Sequence, residues 1–318
     1  MKPSDRKLSV LVVGGSGFLG SHTADALSDA GYAVRIFDRT PSPWLRPDQQ
    51  MITGDLMDRE TMTKAAEGCT FLYHFAGIAD LEDANTRPVE TCRTNVLGTV
   101  QALDIARTLN IRRFVFASTV YVYSASGGFY RASKQACESF IEEYRKEYGL
   151  SYTILRYGSL YGRRAGSENG ITRLIRSAIE TGKLTYHGDP EAMREYIHVT
   201  DAARLSVQIL DDGYADSCLM LTGQTRMKVQ DLMRMIAEMM PDRPELVFGE
   251  KNLAAHYVMT PYNYSPKLAR KITGTDHIDL GQGILDCIVD FHERKEDTIG
   301  GTSPPPPPRM VSTKTQKR

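Results

Sequence analysis

The chain alternates short apolar runs, rich in β-branched residues, with longer stretches whose apolar positions recur at helical spacing. The short runs predict buried strands and the longer stretches predict helices. Strands are predicted at 10–13, 33–37, 51–52, 71–75, 114–117 and 152–155, and helices at 18–30, 59–67, 95–109 and 132–148. This alternation predicts an α/β protein with a Rossmann-type, doubly wound parallel sheet that is covered on both faces.

The pattern changes after Tyr161, where helical stretches at 171–181 and 229–240 are separated by turn-rich segments. We therefore expect residues 1–160 to form the Rossmann domain, with later segments returning to its sheet. Residues 161–298 are expected to form mainly a smaller, mixed α/β substrate lobe. Residues 299–318 contain five consecutive prolines and a basic end. Such a composition cannot bury a core, so this tail is predicted to be disordered.

Composition excludes several function classes. The 318 residues carry 39 basic and 39 acidic side chains, so no global field attracts nucleic acid or an anionic membrane. The five cysteines show no CxxC or Cys/His ligand spacing, and no metal site is expected. No segment approaches the roughly 20 apolar residues of a membrane span. The polar, charged start does not resemble a signal peptide, so a cytoplasmic location is expected.

A glycine-rich loop follows the first strand and opens the first helix. Gly14 permits a sharp turn, Gly17 lets the backbone approach a pyrophosphate, and Gly20 permits close helix–strand packing. Asp38 ends the next strand, where a carboxylate accepts hydrogen bonds from ribose hydroxyls and repels a 2′-phosphate. The adjacent Arg39 weakens that discrimination. The loop therefore predicts a bound dinucleotide, with NAD favoured over NADP.

Tyr130 and Lys134 lie one helical turn apart on one face of a predicted helix. An ammonium beside a phenol lowers the phenol pKa from its ordinary value near ~10, so Tyr130 is expected to act as a general base. A YxxxK string alone is also typical of an ordinary amphipathic helix. Thr119 follows a strand and could hydrogen-bond a substrate oxygen, which makes the set of three residues more specific.

These motifs, in this order, resemble the extended short-chain dehydrogenase/reductases, in the group of NAD-dependent nucleotide-sugar epimerases and dehydratases. The resemblance covers roughly residues 8–295. It is carried by the GGSGFLG loop, Asp38, Thr119 and the Tyr130/Lys134 pair, and by these further motifs: GDL at 54–56, HFAG at 74–77, NVLGT at 95–99, LRYGSLYG at 155–162 and REYIHVTD at 194–201.

The resemblance implies a set of cofactor-binding residues: Gly14, Gly17, Phe18, Leu19, Gly20, Asp38, Arg39, Asp55, Leu56, Phe75, Ala76, Gly77, Asn95, Tyr130, Lys134 and Tyr157. It implies that Tyr130 removes a proton from a sugar hydroxyl while the carbon gives hydride to nicotinamide. Lys134 would stabilise the phenolate, and Thr119 would hydrogen-bond the same sugar hydroxyl. Ser159 and Arg194 would bind the substrate phosphates. His198 is expected to be structural. The expected substrate is a nucleotide-diphosphate sugar, and the expected assembly is a homodimer.

Three departures from the family pattern bear on the activity. Dehydratases and decarboxylases of the group carry acidic residues just after the threonine, whereas this chain has Val120 and Tyr121. Ser159 stands where the family usually has asparagine. The segment 123–129 before Tyr130 is short, contains mostly small residues and is expected to be flexible, which predicts a more open or differently shaped sugar pocket.

An epimerase acting at C4 is favoured. A net NAD(P)-dependent dehydrogenase or reductase, a dehydratase and a catalytically silent NAD sensor remain alternatives.

Overall fold

The computed structural model describes residues 7–224 and 226–249. The strands, in chain order, are β1 (Ser9–Val13), β2 (Ala33–Asp38), β3 (Gln49–Thr53), β4 (Phe71–His74), β5 (Arg113–Thr119), β6 (Tyr152–Tyr157), β7 (Ser159–Tyr161), β8 (Lys183–Tyr186), β9 (Met193–His198), β10 (Ser217–Leu221), β11 (Arg226–Lys228) and β12 (Glu245–Phe248).

The helices are α1 (Phe18–Asp29), α2 (Arg59–Ala66), α3 (Leu81–Thr86), α4 (Pro88–Thr91), α5 (Gly98–Thr108), α6 (Gly128–Tyr148), α7 (Gly170–Thr181), α8 (Val199–Gln208) and α9 (Val229–Met239). A π-helical stretch, Cys92–Leu97, joins α4 to α5, and a 3₁₀ turn, Val120–Tyr123, follows β5.

Seven parallel strands form the main sheet in the order β10-β6-β5-β4-β1-β2-β3. The central strands β1, β4, β5 and β6 are mostly buried hydrophobic runs, as expected for a parallel sheet covered on both faces, whereas the edge strand β3 is more polar and more exposed. The strand order reverses between β1 and β4, and ligands of such sheets bind at the carboxyl ends of the strands near that point. The predicted doubly wound α/β class is confirmed.

Each face of the sheet has its own apolar layer. One layer joins strand residues such as Leu11 and Phe114 to buried residues of α2, α5 and α6. The other joins Val10 and Val12 to buried residues of α1 and α8, including Leu27 and Ala202. The segment after residue 161 therefore contributes both a helix, α8, and a strand, β10, to the layers of the main sheet.

A third apolar cluster lies in the later part of the chain and is built from α7, α9 and β8. It accompanies a three-stranded sheet, β11-β9-β7, and a two-stranded sheet, β12-β8. The first of these pairs β9 antiparallel with β11 and parallel with β7. This is the smaller mixed α/β lobe that the sequence predicts, while the predicted tail at 299–318 lies outside the described residues.

Two features of the helices differ from the sequence prediction. The helix expected at 95–109 is α-helical only from Gly98, because the preceding residues form the π-helical stretch. Helix α6 begins at Gly128 and not near 132, so Tyr130 lies within its first turn.

Within the described ranges, no helix is long and apolar enough to cross a membrane, and no group of three or more potential metal-ligating side chains lies close enough together to hold a metal ion.

Candidate functional site

The glycine loop joins β1 to α1 in close contact with the end of β4. Gly14 has φ +82°, and a Cβ there would lie 2.5 Å from the backbone nitrogen of Ala76, so only glycine fits without strain. Gly17 caps α1 without a side-chain hydrogen bond. The loop therefore presents the N-terminal N–H groups of α1, with Phe18 and Leu19 in its first turn, as a cradle for an anion such as a pyrophosphate.

Asp38 lies beside this loop at the end of β2. Its carboxylate accepts hydrogen bonds from the backbone N–H groups of Ser16, at 3.0 Å, and Thr40, at 3.3 Å. Arg39 is exposed. The partly exposed carboxylate is thus fixed next to the pyrophosphate cradle, where it can receive ribose hydroxyls. The cradle and the carboxylate together fit NAD.

Two other predicted cofactor segments flank the loop. Asp55 is exposed and accepts a hydrogen bond from Met57 N–H at 2.8 Å. Leu56 is buried against Gly98, at the start of α5. Phe75 and Ala76 donate backbone hydrogen bonds to the carbonyl of Val13 and so bring the end of β4 to the loop.

Asn95 lies in the π-helical stretch and is buried at 1% exposure. Its Oδ1 accepts from Ile78 N–H at 2.7 Å, and its Nδ2 donates to the Ile78 carbonyl and to Ser133 Oγ, at 3.0 and 2.9 Å. Its Oδ1 also leaves no room for a Cβ on Gly77. The side chain therefore joins the loop after β4 to α6, and its assignment to cofactor binding stays a prediction.

The structure brings Thr119, Tyr130 and Lys134 together at the carboxyl end of β5. The Tyr130 phenol hydrogen-bonds the Thr119 side chain. Lys134 Nζ donates to the Ala117 carbonyl at 2.8 Å, and lies 4.6 Å from the ring centroid of Phe116 and 5.9 Å from that of Tyr130. One helical face and one strand end thus hold a phenol, a hydroxyl and an ammonium around a common point.

The electrostatics of this group differ from the sequence expectation. Burial raises the pKa of the Tyr130 phenol to about 12, although the hydrogen bond to Thr119 acts in the opposite direction. Burial also lowers the pKa of the Lys134 ammonium. The expected lowering of the phenol pKa is therefore wrong for this structure, because loss of water around the phenol outweighs any stabilisation of the phenolate.

The short segment before Tyr130 is held by hydrogen bonds. Arg131 donates from Nη1 to the carbonyls of Ser124 and Ala125, at 2.9 and 2.8 Å. Asn85, in α3, accepts from Phe129 N–H at 3.1 Å. Neither Arg131 nor Asn85 was identified from the sequence, since both act on backbone atoms and leave no motif. Hydrogen bonds therefore hold both ends of the segment 123–129, and its expected flexibility stays a prediction.

A buried ion pair lies one helical turn beyond Lys134. Glu138 accepts from Arg156 Nε and Nη2, at 3.0 and 2.6 Å, and from Ser118 Oγ at 2.5 Å. Arg156 also donates to the Tyr123 hydroxyl. This cluster was missed by sequence analysis, although its i, i+4 spacing from Lys134 was a usable signal. It ties α6 to β6, to the residue before Thr119 and to the 3₁₀ turn.

The remaining predicted residues occupy separate positions. The Tyr157 ring is buried and its hydroxyl lies 2.6 Å from Ser206 Oγ in α8, so its side chain has a structural partner and its cofactor role stays a prediction. Ser159 and Arg194 lie on neighbouring strands, β7 and β9, and Arg194 is 7% exposed. His198 caps α8 by accepting from Thr200 N–H at 3.3 Å, and its assignment as a structural residue stays a prediction.

Comparison with known proteins gives concordant results. A model of the NAD dependent epimerase/dehydratase family matches residues 10–217. The UDP-glucose 4-epimerase of Erwinia amylovora is 28% identical over 64% of this chain and 70% of its own length. The UDP-N-acetyl-alpha-D-glucosaminuronate decarboxylase of Bacillus cytotoxicus is 25% identical over 92% of this chain and 100% of its own. The crystal structure of Thermotoga maritima UDP-glucose 4-epimerase with UDP-glucose has the same fold, with a TM-score of 0.73 and 24% identity over 81% of this chain and 90% of that one.

Proposed function

This chain belongs to the NAD dependent epimerase/dehydratase family, and we propose that within it the protein is an epimerase that inverts C4 of a nucleotide-diphosphate sugar. NAD is the cofactor of this family, which confirms the cofactor expected from the sequence. Membership also makes the chain an enzyme of this family and removes the silent NAD sensor from consideration. The observation that carries the proposal is the grouping of Thr119, Tyr130 and Lys134 beside the glycine loop.

NAD, when bound, supplies a reversible oxidant for the sugar carbon. In the proposed reaction, Tyr130 Oη takes the proton of the sugar hydroxyl and later returns it to the same oxygen. Thr119 forms a hydrogen bond to the same sugar hydroxyl through its Oγ1. Since burial favours the neutral phenol, the positive charge of Lys134 is needed beside Tyr130 for the phenolate to form.

The residues after Thr119 support epimerisation over elimination. Val120, the first residue of the 3₁₀ turn, is 1% exposed, and Tyr121 lies edge-on to Tyr130 with ring centroids 6.3 Å apart. Neither side chain can donate or accept a proton in the way a carboxyl group can near neutral pH. The chemistry at C4 can therefore end with return of the proton to the oxygen and of the hydride to the carbon, with no group lost from the sugar.

The binding of substrate phosphates by Ser159 and Arg194 is part of the proposal. The two residues lie on adjacent strands of the β11-β9-β7 sheet. A buried arginine at such a strand can form charge-assisted hydrogen bonds with a diphosphate.

We also propose a homodimer. Apolar side chains are exposed on two helical segments that pack side by side, the π-helical stretch with α5, and α6. Leu97 is 52% exposed, Phe140 43% and Tyr148 59%, and Arg107 lies over the Tyr148 ring at 4.8 Å. A second copy of the same surface would cover these residues by two-fold symmetry.

The deciding experiment incubates the protein with UDP-, GDP-, CDP- and dTDP-sugars and follows stereocentres by NMR, together with NADH absorbance and CO₂ release. We expect inversion at C4 with no net NADH. Stoichiometric NADH would instead assign a dehydrogenase, loss of water a dehydratase, and CO₂ a decarboxylase.

Replacing the proposed base tests the mechanism. Tyr130→Phe should lower turnover by about 10²-fold or more, the usual contribution of a general base, while NAD binding changes little. The control is Tyr32→Phe, the same change at a position just before β2 that lies outside both the proposed site and the proposed dimer surface. A Tyr130→Phe enzyme as active as the control would show that another group takes the proton.

A further inference from the structure

A buried histidine lies behind the Lys134 ammonium and has one ring nitrogen without a partner. His74 ends β4, is 0% exposed, and stacks on Phe116 of β5 with ring centroids 6.0 Å apart. Its Nε2 lies 3.0 Å from Thr99 Oγ1 in α5. Its Nδ1 is buried and finds no hydrogen-bond partner among residues 7–224 and 226–249. Buried polar atoms without a hydrogen-bond partner are rare in native proteins, so this nitrogen needs an explanation.

The surrounding hydrogen bonds determine the proton positions on this ring. Thr99 Oγ1 lies 2.5 Å from the Asn95 carbonyl oxygen. Two oxygens this close share a proton, and a carbonyl has none, so the Thr99 hydroxyl donates its only proton to Asn95. Nε2 of His74 must then carry a proton and donate to Thr99.

The other ring nitrogen of His74, Nδ1, therefore carries no proton and can only accept a hydrogen bond. Burial, with a smaller contribution from the charge of Lys134, lowers the pKa of His74 to about 3, so the ring is neutral at physiological pH. A neutral ring protonated on Nε2 has a lone pair on Nδ1. In His74 this lone pair is buried and needs a donor.

Lys134 is the nearby group with donors to offer. Its Nζ lies 4.6 Å from the centroid of the same Phe116 ring that His74 stacks on. It has three N–H donors, of which one reaches the Ala117 carbonyl. Among the described residues, the ionisable groups around it are Tyr130, Cys137 and Glu138 on its own helix and His74 on β4.

We propose that His74 is a positioning residue for Lys134: the Nδ1 lone pair accepts, through one buried water molecule, a hydrogen bond that originates at the Lys134 ammonium. This contact keeps the ammonium charged and in place beside Tyr130. Buried waters commonly join polar groups that the protein itself leaves unpaired. The inference rests on the proposed function only in that Lys134 is assigned there to the support of Tyr130.

A pair of substitutions separates the two nitrogens of the ring. His74→Asn can place an amide oxygen near the position of Nδ1, and His74→Gln can place an amide N–H near the position of Nε2. Lys134 is followed by NMR in full-length protein carrying ¹³Cε- and ¹⁵Nζ-labelled lysine, and its resonance is identified as the one lost in Lys134→Met. The pH midpoint of Lys134 should be nearly unchanged in His74→Asn and about one pH unit lower in His74→Gln. Equal midpoints in all three proteins, or a fall in both variants or in His74→Asn alone, would overturn the proposal.

A second measurement tests the same contact without the His74 variants, in case these fold poorly. In ¹⁵N-histidine-labelled wild-type protein, His74 should show a neutral Nε2–H ring whose Nδ1 accepts a hydrogen bond. Lys134→Met should move the Nδ1 resonance toward that of a free acceptor. An Nδ1 that carries the proton, or that is unaffected by Lys134→Met, would refute the contact. Both experiments use neither sugar nor NAD, so their failure is distinct from failure of the epimerase assignment.

Discussion

Gly14 and Gly17 lie three residues apart in the loop after β1, and an added methyl group has a different consequence at each. Alanine at position 14 would have φ near +82° and a Cβ 2.5 Å from Ala76 N. Gly14→Ala should therefore destabilise the fold by about 2 kcal/mol or more. At Gly17 the nearest atom to an added Cβ is Gly14 O at 3.4 Å, so Gly17→Ala should fold normally.

The two variants should separate stability from cofactor binding. Because the Gly17 backbone faces the pyrophosphate cradle, its methyl group should weaken NAD binding about tenfold. Thermal unfolding and calorimetric titration with NAD measure the two effects. Normal NAD affinity in Gly17→Ala would contradict the placement of the pyrophosphate at this loop.

The raised pKa of Tyr130 predicts a pH dependence of stability. The folded protein favours the neutral phenol, so this group's contribution is fully present below the ordinary tyrosine pKa of about 10. It is lost as the pH rises toward about 12. Urea unfolding of the NAD-free protein should show a shallower loss of stability over this window in Tyr130→Phe than in wild type. Identical slopes would show that burial does not shift this phenol.

At the scale of elements, the Glu138–Arg156 pair joins α6 to β6, and its side chains are 9% and 16% exposed. Glu138→Gln leaves the Arg156 guanidinium without a counter-charge in a buried place, which should cost about 3 kcal/mol. The control is Glu60→Gln, which removes an exposed pair with Lys64 and should leave the free energy of unfolding unchanged within error. Chemical denaturation measures both. If the two variants are equally stable, the cluster does not anchor α6.

The first half of the fold can be predicted from the sequence because most of its strands are apolar runs separated by helices. β1 to β6 and α1, α2 and α6 follow from this pattern. The later strands are harder, since β7 and β11 have three residues each and their partners are distant in sequence. Helix α8 was missed because its sequence overlaps the REYIHVTD motif, which was interpreted only as a substrate-binding segment.

The site shows a similar division. Gly14, Asp38, Thr119, Tyr130 and Lys134 follow from spacing, because strand ends and helical turns fix where these side chains meet. The contacts that support them depend on packing between elements far apart in the chain. His74, Asn85 and the Glu138–Arg156 pair meet partners on other elements of the fold, and no local pattern indicates which partner each side chain contacts.

At the scale of the whole molecule, the proposed dimer places Phe140 at its interface. Phe140→Glu buries a charge against the partner and should convert a dimer to a monomer at micromolar concentration. Ile179→Glu is the control, since Ile179 is 70% exposed but lies on α7 in the other lobe. Analytical ultracentrifugation distinguishes the two. A monomeric wild-type protein, or a dimer that survives Phe140→Glu, would refute this interface.

The position of β10 has a consequence for synthesis on the ribosome. β10 pairs with β6 at the edge of the main sheet, yet it follows β6 by a long stretch of chain. When residues up to Tyr157 have emerged, the nascent chain holds six strands with β6 as an open edge. The face that α8 later covers still exposes apolar residues such as Val115 and Leu155. The main sheet therefore cannot be complete until translation has passed Leu221, and until then its open edge and exposed apolar face favour aggregation.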